Sequence, residues 1–405
     1  MINANITVYE LSKQHPSAFS LFVSKGFENF KEPKMLETAG KFLKLETAIK
    51  QKNYDVQTFI KSLEEIDSNR DAQVDITLRE SAKDGDITVK GLLPCPVRLP
   101  LLESIDAFAS KVTEDTGLTI AHELIAASGG QSWLEENVVG IRAENVPDIF
   151  VSAGFDVFFD DASLGGLVKE GMFEDMTGAC HSYMSQLKDP KGNYGMVGVV
   201  PAVFMVNLDA LEGREVPKSW ADILKPEFRR SVSLPVGDFD LFNALLVHIH
   251  RMFGDDGVVN LADSMIQSMH PAQMVKNAGK KNVEKPAVTI MPYFFTKMLF
   301  GNKTVEIVFP EEGCIISPIF MLTRRDRKDV IKPAADFLYG KEVGEILSHR
   351  GLFPALNSEV DNRLPENMKF NWVGWDYIYS TDMGVLLKRL DALFNDSLNS
   401  MEQGA

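Results

Sequence analysis

The chain has 405 residues, with 42 Lys and Arg against 57 Asp and Glu, and its formal charge of −15 argues against a nucleic-acid partner, whose phosphates it would repel. Hydrophobic residues at 45% and charged residues at 24% are ordinary globular values, which excludes a chain disordered throughout, and the length suits two or three domains of about 150 residues each. Cys95, Cys180 and Cys314 stand far apart, so neither a disulfide framework nor a CxxC metal clip is available, and a reducing compartment is expected.

Residues 1–10 (MINANITVYE) contain no basic leader region, and the apolar stretch at 18–23 is shorter than a signal core. The longest uncharged window, residues 193–208, falls short of the ~20 apolar residues that span a bilayer. The expectation is a cytoplasmic protein without membrane insertion, periplasmic or at the cell surface only through an unrecognised export route. Residues 1–67 read as a small helical domain. Thr7 with Glu10 three positions later forms a capping-box pattern, Pro16 and Gly26 bracket a second helix, and Phe42, Leu43, Leu45 and Ile49 recur at helical spacing. The charged segment 68–86 is the expected linker.

From residue 87 the rhythm becomes strand, helix, strand. Residues 87–93, 119–126 and 148–151 are strand-like, each followed by a helical pattern, at 101–112 and 133–141 for the first two. Such units make a mainly parallel sheet flanked by helices, and ligands bind at the carboxyl ends of its strands. Those ends are residues 95–98, 128–132 and 152–156. A long β-rich run with a central proline, residues 198–206, reads as a segment passing between two lobes, and residues 305–309 and 314–322 as its return. A strand at 231–234, a helix at 239–252 and a strand at 288–291 lie between. The expected architecture is α/β and two-lobed with an interlobe cleft: residues 87–405, lobe 1 about 87–200 and 312–405, lobe 2 about 201–311.

Residues 217–229 (PKSWADILKPEFR), 232–235 (VSLP), 310–313 (PEEG) and 330–339 together resemble segments of type-2 periplasmic solute-binding proteins of ABC transporters, in the ferric-ion and polyamine branch. The resemblance implies a two-lobed fold that closes on a small solute by hinge bending, with an ABC permease as partner. It also places a ligand-binding tyrosine pair of the ferric branch at residues 290–297, where this chain keeps Tyr293 but has Phe294 and Phe295 after it, a departure that counts against iron. Residues 6–11 (ITVYEL), His15-Pro16 and 23–27 (VSKGF) resemble the helical N-terminal domain of iron-sulfur repair di-iron proteins. Where that family carries cysteines after the glycine, this chain has FENF.

The loop Ser128-Gly129-Gly130-Gln131-Ser132 lets backbone approach a ligand, and a following helix start would favour an anion; otherwise it is a tight turn with Ser132 as N-cap. Cys95 and Arg98 sit after the first strand, where a thiol beside a guanidinium could ligate a metal and Arg98 could pair with a carboxylate. Ser152 and Gly154 complete the candidate set on lobe 1; Pro235, Asp238 and Tyr293 form it on lobe 2, with Glu312 near the hinge. His122-Glu123 begins like HExxH, but Ala126 ends that reading, and His248 and His250 are too far around a helix to share one metal. No catalytic constellation is present, so the chain reads as a non-enzymatic binder of a small anionic or metal-containing solute. The rivals are a cytosolic ligand or redox-metal sensor built on the same fold and, more weakly, a transferase or hydrolase on the same lobes.

Overall fold

The computed structural model describes residues 2–15, 18–19, 22–23, 27–51, 56, 60, 63, 85–126, 130–236, 239–268, 285–299 and 303–403. The chain divides into two compact units, residues 1–83 and 84–405.

In the first unit the capping box forms as the sequence dictates. Thr7 Oγ1 accepts from the Glu10 amide at 3.1 Å and Glu10 Oε2 accepts from the Thr7 amide at 2.7 Å, opening the helix Val8–Gln14. Val8, Leu11, Phe22, Phe27, Leu45, Ala48 and Ile49 make its core, with the Phe22 and Phe27 rings stacked at 4.1 Å. Phe42 departs from the expected stripe. The helix begins at Leu45, so Phe42 precedes it and is 87% exposed. Pro16, Gly26 and most of the expected linker lie outside the described residues.

The second unit contains ten described strands: β1 (Ile87–Leu93), β2 (Ile120–Ala126), β3 (Ile149–Ala153), β4 (Gly195–Asn207), β5 (Val232–Leu234), β6 (Met265–Ser268), β7 (Val288–Pro292), β8 (Val305–Val308), β9 (Cys314–Thr323) and β10 (Phe370–Asn371). Their order is β2-β1-β3-β9-β4-β7-β5-β6, with β8 on β4 and β10 on β9. β1 is parallel to both β2 and β3, as strand-helix-strand units require. β4 carries the division into lobes. Its residues 195–201 pair with β9 and its residues 202–206 with β7, so Pro201, which has no N–H to donate, stands where the strand changes partner. β9 returns antiparallel against β3 and β4. Two crossings therefore join two α/β lobes.

Local chemistry fixes the corners. Ser219 and Asp222 cap the short helix Trp220–Ile223 reciprocally, while Glu312 Oε2 accepts from the Trp220 amide at 3.1 Å and Gly313 accepts from the Trp220 indole at 2.9 Å. Trp220, fully buried edge-on against Phe204, thus ties the return turn to lobe 2. The long helix Phe239–Ser264 extends beyond the expected 252 and kinks at Gly254, whose φ is +68°.

The first expected loop, and the described parts of the other two apart from Gly154 and Phe155, are regular structure instead. Residues 95–98 form the first turn of the helix Cys95–Thr116, because Pro96 near its start supplies a preset φ where no N–H is needed. Gly130, Gln131 and Ser132 lie inside the helix Gly130–Asn137, so Ser132 is not its N-cap. Glycine costs little at a first helical position. Ser152 is an internal residue of β3.

Candidate functional site

The parallel strands of each lobe end at a common edge: β1, β2 and β3 in lobe 1, β5 and β7 in lobe 2. At the end of β1, Arg98 is buried and its Nε donates to the Leu124 carbonyl of β2 at 3.3 Å, which fixes the guanidinium beneath the strand ends. At the end of β3, the buried Ser152 hydroxyl donates to the Ala153 carbonyl at 3.0 Å. Gly154, with φ +117°, donates its N–H to the Pro318 carbonyl at 3.1 Å and so couples this edge to the crossing strand β9. Pro235 is buried directly after β5. Tyr293 follows β7 half-buried, its ring 5.7 Å from Phe309; burial and then the nearby Cys314 raise its hydroxyl pKa, keeping it a neutral phenol that can donate. Glu312 is engaged as a cap on the Trp220 helix. Ser128, Gly129 and Asp238 lie outside the described residues, as do the side chains of Cys95 and Gln131.

The two edges meet through residues that sequence reasoning missed. The segment after β7 sends Phe294 to within 6.2 Å of Phe353, ring to ring, and Lys297 Nζ donates to the carbonyls of His349 at 3.0 Å and Arg350 at 2.8 Å. Those carbonyls end a helical segment, so the ammonium meets the negative end of its dipole. Gly351 follows in tight packing: a Cβ there would stand 2.5 Å from Val97 and 2.4 Å from the Phe353 ring. Val97 belongs to the first turn after β1. Residues 349–353 are thus wedged between the β1 end of lobe 1 and the β7 end of lobe 2. No local signal could have revealed this, since the partners stand 52 and 53 residues apart.

A second junction gathers Phe155, His248 and Trp372, with ring centroids 5.9–6.2 Å apart. His248 Nδ1 lies 2.7 Å from the Ala244 carbonyl, which only accepts, so Nδ1 carries the proton. Its Nε2 and the Trp372 indole nitrogen are both buried and, among the described residues, have no hydrogen-bond partner. Burial foremost, reinforced by the Arg251 charge and opposed by the bond to Ala244, drives the His248 pKa down to about 4. The ring is neutral at pH 7. His250 is half-buried beside Asp255 and Tyr377.

Cys314 is buried among Met205, Met291 and Met368, and burial pushes its thiol up to about 12, so it is an unreactive packing group at neutral pH. Cys180 is half-buried in a bridge to Asn357. Among the described residues no group of three or more His, Cys, Asp and Glu side chains is placed to hold a metal ion, and no helix is long and apolar enough to cross a membrane.

Comparison with solved structures places this two-lobed architecture among periplasmic binding proteins. The ferric binding protein from Campylobacter jejuni is 13% identical with a TM-score of 0.53, over 77% of this chain and 99% of that one. An ABC transporter structure from Clostridium perfringens is 15% identical with a TM-score of 0.53, over 77% and 100%. The periplasmic binding protein AfuA from Actinobacillus pleuropneumoniae, bound to fructose-6-phosphate, is 16% identical with a TM-score of 0.52, over 77% and 98%. The comparison with curated proteins returned no match. Residues 2–60 match the profile of a domain of unknown function, DUF1858. The profile described as bacterial extracellular solute-binding protein matches residues 144–381, more than half of the chain and the whole of both crossings, and the chain belongs to that family.

Proposed function

We propose that the chain captures a small solute, anionic or metal-containing, in the cleft between the strand ends of its two lobes, and hands it to an ABC permease. The observation that carries this reading is the pair of crossings, β4 and β9, with the β1 and β7 ends meeting across residues 349–353 through the Val97, Phe353 and Lys297 side chains. Such contacts can part and re-form while the crossing strands bend. Around the solute, Arg98, Ser152 and Gly154 with residues 95 and 128–131 act from lobe 1, and Pro235, Asp238 and Tyr293 from lobe 2. Glu312 acts near the hinge by holding the Trp220 turn. Tyr293 as a neutral phenol supplies a donor, and the aromatic residues beside it suit an organic acid or ester better than a bare ion.

Native mass spectrometry of the freshly purified chain tests the reading. The expected result is an added mass that disappears on denaturation and returns when the released small molecule is added back, with a rise in melting temperature. A chain whose mass and melting temperature never respond to a broad set of organic acids, phosphate esters and metal ions would refute it.

Lys297 supplies a second check. Lys297→Met removes the ammonium that bridges to the His349 and Arg350 carbonyls. It is expected to shift the ligand-free chain toward a more open form, with a larger radius of gyration in small-angle scattering, and to weaken solute binding by about threefold to tenfold through the smaller closed population. An unchanged scattering profile would show that the bridge does not hold the lobes.

A further inference from the structure

A groove of about 440 Å³ opens on lobe 1 beside the loop that enters β3, away from the carboxyl ends of the strands. Its floor is Lys90 of β1 and Phe150 of β3, which are direct neighbours in register, and Trp133 forms one wall with its ring nearly parallel to Phe150 at 6.4 Å. Parallel sheets are ordinarily covered on both faces. Here the cover stops early: the helix Gly130–Asn137 ends, and the chain turns away at Gly140, which has φ +73° and donates its N–H to the Ala162 carbonyl at 2.7 Å. A lysine in the second strand from the sheet edge is consequently left with a 40% exposed side chain.

The polar groups of this groove are arranged for a ligand that accepts hydrogen bonds. Glu123 already has a donor at each oxygen, the Trp133 indole at 2.8 Å on one and Lys90 Nζ at 3.0 Å on the other. Lys90 spends one of its three N–H groups on that pair, and the rest are unspent among the described residues. Among the described residues Arg142 on the rim pairs with Glu144 alone, loosely, at 3.9 Å, while Asn145 adds an amide and Glu136 is the one acid among the described lining residues.

We propose that this groove is a second binding site, separate from the interlobe cleft, for a small organic anion with a flat apolar body, such as an aromatic carboxylate. The carboxylate pairs with Lys90 and Arg142, and the ring lies against Trp133, over the floor that the buried Phe150 supports. Binding here leaves the cleft free, so the chain reads two different small molecules.

Benzoate is the probe, titrated into the full chain by calorimetry and by Trp emission. Saturable binding with a Kd on the order of 0.1–1 mM is expected, since a ligand this small gains limited affinity. Lys90→Met should weaken it at least tenfold while leaving the melting temperature within about 2 °C, as for most surface substitutions. Uncharged benzamide should bind at least tenfold more weakly than benzoate, and Tyr293→Phe in the cleft should bind benzoate like the parent chain. Three results would overturn the proposal: no saturable binding up to about 10 mM benzoate, equal affinity in Lys90→Met, or loss in Tyr293→Phe with Lys90→Met unaffected. Arg142→Gln, on the exposed rim, keeps the test informative if Lys90→Met folds poorly. It should weaken benzoate binding severalfold, and unchanged binding there would also count against the site.

Discussion

Gly91→Ala is expected to collapse the lobe 1 sheet. Gly91 lies inside β1 between Leu124 of β2 and Val151 of β3, with φ +153°, and a Cβ there would stand 1.7 Å from the Val151 carbonyl oxygen and 2.7 Å from its carbon. The clash is with backbone, so no rotamer change relieves it. Strand β3 has to move or part from β1. Strain and lost pairing together should cost about 3 kcal/mol or more, among the larger effects of single substitutions, and lower the melting temperature by about 6–12 °C. Gly117→Ala is the natural control. It also replaces a glycine at positive φ, +78°, but no heavy atom stands within 4 Å of the added Cβ, so its cost should stay near 1 kcal/mol. Thermal or urea unfolding of the full chain separates the two, and equal losses would contradict the tight β1–β3 approach.

Acid should unfold the second unit partly through His248. Its pKa falls from an ordinary 6.5 to about 4 in the fold, because the ring is buried against Phe155 and Trp372 and the Arg251 charge opposes a second one. For a group with a depressed pKa, the unfolded chain takes up the proton first as pH falls. The contribution of the neutral ring is therefore complete above about pH 6.5 and is lost progressively as pH drops through about 4. A separation of this size corresponds to about 3 kcal/mol. His248→Phe keeps a ring in the site and removes both the titration and the buried Nε2. Its stability at pH 7 should lie within about 1.5 kcal/mol of the parent, since the lost Nδ1 bond to the Ala244 carbonyl is offset by removal of the buried Nε2 that has no partner among the described residues. Between pH 6.5 and 4 the variant should lose less stability than the parent in urea unfolding. Parallel pH profiles for the two chains would remove His248 as a source of acid sensitivity.

Both residues show how far local pattern reaches. The strand β1 was legible from residues 87–93, and the capping box at Thr7 and Glu10 formed as spelled, because both depend on interactions within one turn or one strand. Ser219, Trp220 and Asp222 were legible as a motif, but the reason for the tryptophan was not: its indole is held by Gly313, 93 residues away. The candidate loops fared unevenly for the same reason. Residues 95–98 were expected as a strand-end loop and are helix, since Pro96 at a helix start is as comfortable as a proline in a turn, and only packing of the following residues under β2 decides between them.

The sequence by itself determined the class of the molecule, the strand-helix-strand succession, the two crossings and the family resemblance carried by residues 217–235 and 310–313. Periodicity and capping are read along the chain, where neighbours in sequence are neighbours in space. Tertiary structure alone decided that Lys297 would reach the carbonyls of 349 and 350, that His248 would be sealed between Phe155 and Trp372, and that Lys90 would be left facing a groove. Each of those depends on which distant segment covers a given face, a matter of packing and desolvation among residues tens to hundreds of positions apart, on which local preference is silent.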